Sequence, residues 1–373
     1  MRILHIITGL NYGGAEKLLL DTCVELKKYH EVFVIYLKTE GEMLDKFEKN
    51  GIKIYKIELN KINAILVLFR IIMFIKKNKI NIVHTHCSHA NFFGRIAGLC
   101  CRVNKVVTTI HNTDRWLMSK KFIPTILKKV ECLLLKPKNS IAIAISNAVR
   151  DYTIKYEKGI DEKKIVVLPN AININKILDY SNECKAGDEN IYKYKDFVIV
   201  NIGRLVKQKG QINLLSAMNK IVNEAKIKDI KCLVIGEGEE RKNLENYIKD
   251  HQLNNNVFLL GLQKNPYKYL RDANLFVIPS LWEGFGIVVL EAFALGIPVL
   301  GSNVEGISEL IDHKKNGVLL NNNNVDTLYK EILNYYYHKY PVESFSAKAK
   351  IKVQQYSIEN YVAKLLKIYI NRG

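Results

Sequence analysis

The chain has 373 residues, long for one core and in keeping with two domains. Its 48% hydrophobic and 25% charged residues exclude general disorder and allow a sizeable core. The net charge of +19 is concentrated: of 56 Lys/Arg and 37 Asp/Glu, residues 51–150 hold 18 and 3. Such a field attracts polyanions, whether nucleic acid, anionic lipid or a phosphorylated substrate. The alternative is a solvated Lys-rich face, although such faces normally mix both signs.

The first apolar stretch, MRILHIITGL, has strand length and runs at once into Asn11 and the pair Gly13–Gly14, so no signal peptide is legible. An amphipathic segment at 15–29 and the strand-like VFVIYL follow. The longest greasy run, Ile62 to Ile75, is too short to span a bilayer and contains Arg70. The cysteines, Cys23, Cys87, Cys100, Cys101, Cys132, Cys184 and Cys232, are odd in number and form no C-x-x-C. That pattern suits reduced thiols, so the expected location is the cytoplasm.

IVHTHCSHAN places His84 and His86 on one face of a strand, with Cys87 and His89 nearby. The cluster could suggest zinc, but no carboxylate or second Cys/His group accompanies it, and no metal site is expected. KVVTTI and IAIAIS continue the strands, and His111 follows the first of them. The polar, aperiodic stretch around Leu178–Asp196 marks a seam. The domains are placed at 1–175 and 197–355 with a linker at 176–196, and a final amphipathic helix, about 356–373, packs back on the first domain.

In the second half FVIVNIG, CLVIG, VFLLG, LFVIP and PVLGS alternate with helical patterns at 211–225 and 239–250. Strands interleaved with helices predict an α/β protein, with parallel sheets covered on both faces and ligands at the carboxyl ends of their strands. The stretch LWEGFGIVVLEAFALGIPVL raises the sharpest question, because Glu283 and Glu291 stand in an otherwise apolar run. A strand at 275–279, a glycine-bearing loop and a helix at 287–295 put Glu283 in the loop and Glu291 on the helix. Gly284 and Gly286 let backbone approach a ligand, and the helix N-terminus suits an anion. A capping glutamate and a buried, paired one would be the structural alternative. NIGRLVKQKG adds Arg204, a bidentate donor, and Lys209, a point charge, on a glycine-flanked loop.

In their order and spacing GRLVKQKG, IGEGEE, FLLG and PSLWEGFGIVVLEAFALGIPVL resemble the retaining glycosyltransferases of family 4, and Glu283 to Glu291 resembles that family's E-x7-E signature. The resemblance implies a GT-B fold, two Rossmann-like domains facing a cleft. Arg204 and Lys209 would clamp the donor diphosphate and Glu283 would contact the transferred sugar. Backbone N–H groups of Phe285, Gly286 and Ile287 would hold sugar and phosphate. Glu291 would bind the ribose, with Gly236, Leu260 and Gly261 near the nucleotide. TGLNYGGAE resembles the family's first glycine loop, bringing Gly13 and Gly14 to the phosphates, and His111 matches its cleft histidine, near the reaction centre. Glu283, His111, Arg204 and Lys209 are therefore the expected catalytic residues.

PNAIN departs from the family's usual Pro-Asn-Gly-hydrophobic-Asp at Ala171 and Asn173, and no catalytic role is assigned there. No Asp-x-Asp occurs, so transfer is expected to need neither metal nor cofactor. The donor implied is a nucleotide-diphosphate sugar, most simply a UDP-sugar. The acceptor would be a lipid-linked or polysaccharide glycan of the cell surface. The basic 51–150 region suits an anionic membrane surface, which would place the enzyme peripherally on the inner face of the cytoplasmic membrane. A GT-B epimerase or phosphorylase is the alternative enzyme. A nucleic-acid-binding protein finds no supporting motif, and no nucleic-acid partner is expected.

Overall fold

The computed structural model describes the chain apart from residues 12, 61, 112–132, 157–159, 183–191, 194, 322–323 and 372–373. It packs as two compact units, Met1–Ala171 with Ile358–Gly373, and Ile172–Ser357.

The first unit is a seven-stranded sheet of β1 (Arg2–Ile7), β2 (Glu31–Tyr36), β3 (Lys53–Lys56), β4 (Ile82–His86), β5 (Lys105–Ile110), β6 (Ser140–Ala144) and β7 (Ile165–Val167). Its order is β3-β2-β1-β4-β5-β6-β7, and every pairing is parallel. Alternate residues face opposite sides of a strand. Ile3, Ile7, Ile82 and Val107 enter one core, and Leu4, Ile6, Val83 and Val106 enter another. Both faces are dry, which is why β1 reads as almost unbroken apolar sequence.

The terminal helix Ile358–Ile370 belongs to this unit. Ile358, Tyr361, Val362, Leu365 and Tyr369 form its buried stripe, in one core with Leu19, Cys23 and Leu26 of the helix Gly14–Leu26. Lys105 Nζ donates to the carbonyl of Asn371 at 2.6 Å, holding the end of the chain to β5.

The second unit is a parallel sheet of β8 (Phe197–Ile202), β9 (Ile230–Ile235), β10 (Val257–Gly261), β11 (Leu275–Ile278), β12 (Val299–Ser302) and β13 (Val318–Leu320). Its order is β10-β9-β8-β11-β12-β13. Val198, Ile199 and Val200 are buried in succession, so both faces are again covered.

The expected linker at 176–196 is corrected at its start. The second unit begins at Ile172, and Ile174–Asn182 is a helix with Ile174, Ile177 and Ser181 buried. Asn173, where the family usually has Asp, caps it: its Oδ1 accepts from the N–H of Lys176 at 3.0 Å. Arg271 donates to the carbonyl of Ser181, and Asn265 Nδ2 donates to that of Tyr180 at 2.7 Å. The segment reads as polar because so short a helix shows only one narrow apolar stripe. Linker residues 183–191 and 194 lie outside the described residues.

The terminal helix is a structural part of the first unit, so Leu365→Ala, which empties a fully buried site, should cost about 2–5 kcal/mol in chemical denaturation. Loss of less than ~0.5 kcal/mol, the usual scale of surface substitutions, would show that this helix does not share the core.

Candidate active site

In the second unit the chain leaves β8 toward β9 and β10, then returns to place β11 on the other side of β8. The carboxyl ends of β8 and β11 thus flank a topological switch point, where open parallel sheets leave a crevice for ligands. The two loops that leave these ends are stitched together. The N–H of Leu281 donates to the carbonyl of Gln208 at 2.8 Å, and Gln208 Nε2 donates to the carbonyl of Trp282 at 2.9 Å. Gly210 has φ +64°, and a Cβ there would lie 2.2 Å from the carbonyl oxygen of Pro279, so the approach requires glycine.

Lys209 and Glu283 meet across this stitch as an ion pair, with side chains only 18% and 8% exposed. Ser280 Oγ donates to the same carboxylate oxygen at 3.0 Å. Lys209, one of the two cations expected to clamp the donor diphosphate, is paired with Glu283. Arg204 is exposed, and its guanidinium makes no hydrogen bond or ion pair with any described residue. Its carbonyl accepts from Gln211 Nε2 at 3.0 Å, which fixes the backbone beneath it.

The helix Ile287–Leu295 starts immediately after this loop. Gly286 is its N-cap in the left-handed region at φ 78°, with no side-chain cap and no acidic residue in the first turn. The N-terminal N–H groups and the positive end of the helix dipole, at Ile287, are therefore available to an anion. Phe285 is buried, and its ring centroid lies 5.9 Å from that of Tyr356, which anchors the loop. Glu291 is 5% exposed and accepts a hydrogen bond from Tyr267 OH at 3.1 Å on Oε1. The two glutamates thus have separate surroundings, one against a cation and one against a phenol.

The neighbouring loops join the same end of the sheet. A Cβ on Gly236, at φ +144°, would sit 2.0 Å from the carbonyl oxygen of Gly203. The N–H of Gly236 donates to the carbonyl of Gly261 at 2.9 Å, and the N–H of Leu205 to that of Glu237 at 2.9 Å. Leu260 is half-buried, and its carbonyl accepts from Gln263 Nε2 at 2.6 Å. Tyr267, Ser280 and Gln208 were not anticipated. Gln208 and Tyr267 reach residues 74 and 24 positions away, whereas Ser280 bonds Glu283 within its own loop.

In the first unit the switch point lies between β1 and β4. Gly13 caps the helix Gly14–Leu26 without a side-chain bond, and a Cβ on it would lie 2.5 Å from Oε2 of Glu16. The Glu16 carboxylate therefore folds over the helix end where Gly13 and Gly14 were expected to meet phosphate. An incoming anion must displace that charge.

His5, His84 and His86 line one face of β1 and β4, and His111 follows β5. His84 Nδ1 pairs with Tyr369 OH at 2.7 Å and its Nε2 with Thr109 Oγ1 at 2.8 Å. His5 Nδ1 lies 3.1 Å from His86 Nε2, and His86 Nδ1 lies 3.2 Å from His111 Nε2. Cys87, just after His86, has φ 70° and ψ 157°, a region suited to glycine, so strain of about 1–3 kcal/mol sits beside the cluster.

Ligand atoms of His5, His84 and His86 fall within 4.8 Å of one another. Both nitrogens of His84 are engaged, by Tyr369 and Thr109, and among the described residues no carboxylate joins the group. Of the zinc spacing read from sequence, His89 is drawn off to Lys38, whose Nζ lies 3.0 Å from its Nε2.

Two family descriptions match the chain: Glycosyltransferase Family 4 over residues 12–176 and Glycosyl transferases group 1 over 187–365. The chain is 30% identical, over 84% of its length and 80% of the relative, to the Escherichia coli UDP-Gal:alpha-D-GlcNAc-diphosphoundecaprenol alpha-1,3-galactosyltransferase. A Campylobacter jejuni relative is N-acetylgalactosamine-N,N'-diacetylbacillosaminyl-diphospho-undecaprenol 4-alpha-N-acetylgalactosaminyltransferase, 25% identical over 87% of both chains. Anabaena Alr3699/HepE in complex with UDP and glucose aligns with TM-score 0.83 and 20% identity, over 98% of each chain. Two parallel-sheet α/β units of this kind define the GT-B class. Within that class, the chain belongs to the family 4 glycosyltransferases.

Burial pushes the histidines down from 6.5: His5 to about 3, His111 to about 4, and His84 and His86 well below the ordinary value. The folded state keeps them neutral while the unfolded chain takes up protons near 6.5. Their contribution to stability is therefore present above pH 6.5 and lost as the pH falls toward the folded values. The unfolding free energy should fall below pH 6.5, by up to about 1.4 kcal/mol per pH unit for each histidine, with a shallower slope in His5→Leu. A flat wild-type profile from pH 6.5 to 4 would contradict neutral burial of the cluster.

Proposed function

We propose that the protein is a retaining, metal-independent glycosyltransferase that moves a sugar from a UDP-sugar to a lipid-linked or polysaccharide acceptor in cell-surface glycan assembly. The observation that carries this reading is the Lys209–Glu283 pair on stitched loops beside the bare N-terminus of the helix Ile287–Leu295. In support, the Escherichia coli relative is named for a UDP-Gal donor and a diphosphoundecaprenol acceptor, and the Anabaena structure carries UDP and glucose.

In this reading Arg204, Lys209 and the N–H groups at Gly286 and Ile287 receive the diphosphate and oppose the charge it gains. Glu283 accepts a hydrogen bond from a hydroxyl of the transferred sugar, and Glu291, held by Tyr267, takes the ribose hydroxyls. Gly236, Leu260 and Gly261 lie toward the nucleotide, and His111 contacts substrate. The acceptor oxygen bonds to the anomeric carbon as the bond to the diphosphate oxygen breaks. The bonding electrons leave with the diphosphate, and the acceptor's proton passes to that oxygen on the same face, which retains configuration. The protein's own cations oppose the leaving-group charge, so the step needs no metal.

Diphosphate release from UDP-, GDP- and ADP-sugars, with and without a detergent extract of host membranes and in EDTA, tests the reading. Release from a UDP-sugar, raised by the extract and undiminished by EDTA, is expected. Release only with added divalent metal would overturn metal independence. Glu283→Gln should lower turnover by about 10²-fold or more with little change in melting, because Ser280 can still donate to the amide oxygen. Lys209→Ala should lower turnover and also destabilise, since it leaves the nearly buried Glu283 without its cation.

Membrane association is the second part of the proposal. The helix Ala64–Lys77 buries Val67, Ile71 and Ile75, yet Ile65 is 86% exposed, Phe69 58% and Met73 50%, with Ile62 just before it at 95%. A helix apolar on both faces is normally enclosed. No Asp or Glu occurs from residue 59 to 113, and Arg70, Lys76, Lys77 and Lys79 are exposed on or beside the helix. Among the described residues no helix is long and apolar enough to cross a membrane. An apolar stripe among cations suits the interface of an anionic bilayer, where cations add about 1 kcal/mol each. The protein should sediment with phosphatidylglycerol vesicles at low salt, and Ile65→Ser/Phe69→Ser should release it without unfolding. Absence of binding to those vesicles refutes this part.

A further inference from the structure

We infer that His5 and His86 are positioning residues that hold His111 in the tautomer protonated at Nδ1, so that His111 meets its ligand as an N–H donor. That His111 faces a substrate rests on the function proposed above; the tautomer rests on geometry alone.

The three rings form a chain, His5 Nδ1 to His86 Nε2 at 3.1 Å and His86 Nδ1 to His111 Nε2 at 3.2 Å. A neutral imidazole has one N–H and one lone pair. With both links made, the protons have only two orders. They run outward, each Nδ1–H donating to the next Nε2, or inward, each Nε2–H donating to the next Nδ1. Burial favours the uncharged form of all three rings.

The inner end decides between the two orders. His5 Nε2 is buried and has no partner among the described residues. The inward order would put a proton on that nitrogen, an N–H with no acceptor. His84 lies beside the ring, tilted by 40° with its centroid 5.1 Å away, but both its nitrogens are already engaged by Tyr369 and Thr109. The outward order leaves only a bare lone pair at His5 Nε2. Buried N–H groups without an acceptor are rarer in proteins than acceptors without a full set of donors, so the outward order is the one the fold accommodates. His86 then donates to His111 Nε2, and the proton of His111 sits on Nδ1.

His111 is half-buried, and its Nδ1 bonds no described residue, so this N–H is the group it can offer. Its partner would be an oxygen acceptor, a sugar hydroxyl or a phosphate oxygen. Nδ1 in this form has no lone pair in the ring plane, so His111 cannot act there as a general base. The histidines that sequence places on separate strands become one device, with His5 at its closed end.

The test is long-range proton–nitrogen correlation NMR on the full-length protein with nitrogen-15 histidine, near neutral pH and without ligand. His111 signals are assigned from a His111→Asn spectrum. The expected result is a protonated-type shift at Nδ1 and a bare-type shift at Nε2 of His111. The reverse pattern overturns the inference. His5→Leu removes the closed end and should move the His111 shifts toward the average of the two tautomers. His5→Asn, whose amide nitrogen can occupy the place of Nδ1 and donate to His86, should restore the wild-type pattern. Unchanged His111 shifts in His5→Leu would remove the positioning role, and if that variant does not fold, the wild-type and His5→Asn spectra still decide the tautomer. No sugar donor enters the measurement, so its outcome is independent of the donor panel.

Discussion

A parallel strand can be reached only by crossing a face of the sheet, and the chemistry of this protein sits where those crossovers change direction. In the first unit the reversal falls between β1 and β4, and in the second between β8 and β11. At both places two loops leave adjacent strand ends and diverge. Backbone groups there lack the usual ladder partners, and side chains from distant sequence are brought within bonding reach. The histidine chain and the Lys209–Glu283 pair each occupy such a point. The sheets need only apolar strands to form, which leaves their carboxyl ends open to other residues.

The two units handle buried polarity in opposite ways. The second sets a cation against a carboxylate and surrounds both with short hydrogen-bonded loops. Such a pair gains little net stability, because desolvation offsets attraction, but losing one partner is costly. At its switch point the first unit instead holds uncharged imidazoles, three buried and His111 half-buried, linked to one another, to Thr109 and to Tyr369. Tyr369 comes from the last helix, so that helix supplies both apolar core and a polar partner to the histidines of β1 and β4.

Much of the fold is legible in the sequence because burial on both faces demands unbroken apolar strands. ILHII, IVHTH, CLVIG and LFVIP stand out for that reason, and the helix expected at 287–295 is the one observed. The strands that escape notice are short and peripheral. β3, KIYK, has three of four residues mostly exposed, and β7 and β13 have three residues each. An edge strand has one neighbour and little core to bury, so its composition carries no signal. Asn173 shows the converse: a residue that looks like a lost family feature is the cap of a helix the sequence reading takes for a linker.

By itself the sequence determined that two parallel α/β units would form, that the basic charge would fall in residues 51–150, and that Arg204, Lys209, Glu283 and Glu291 would lie on or just after loops at strand ends. Those features depend on composition and on periods of two and 3.6 residues, which are local. Only the tertiary structure decided that Lys209 closes on Glu283, that Glu291 answers to Tyr267, and that His5, far from His86 and His111 along the chain, joins them in one hydrogen-bonded row. These contacts depend on strand order and register, and any pattern of hydrophobic residues that builds the same sheet leaves them unspecified.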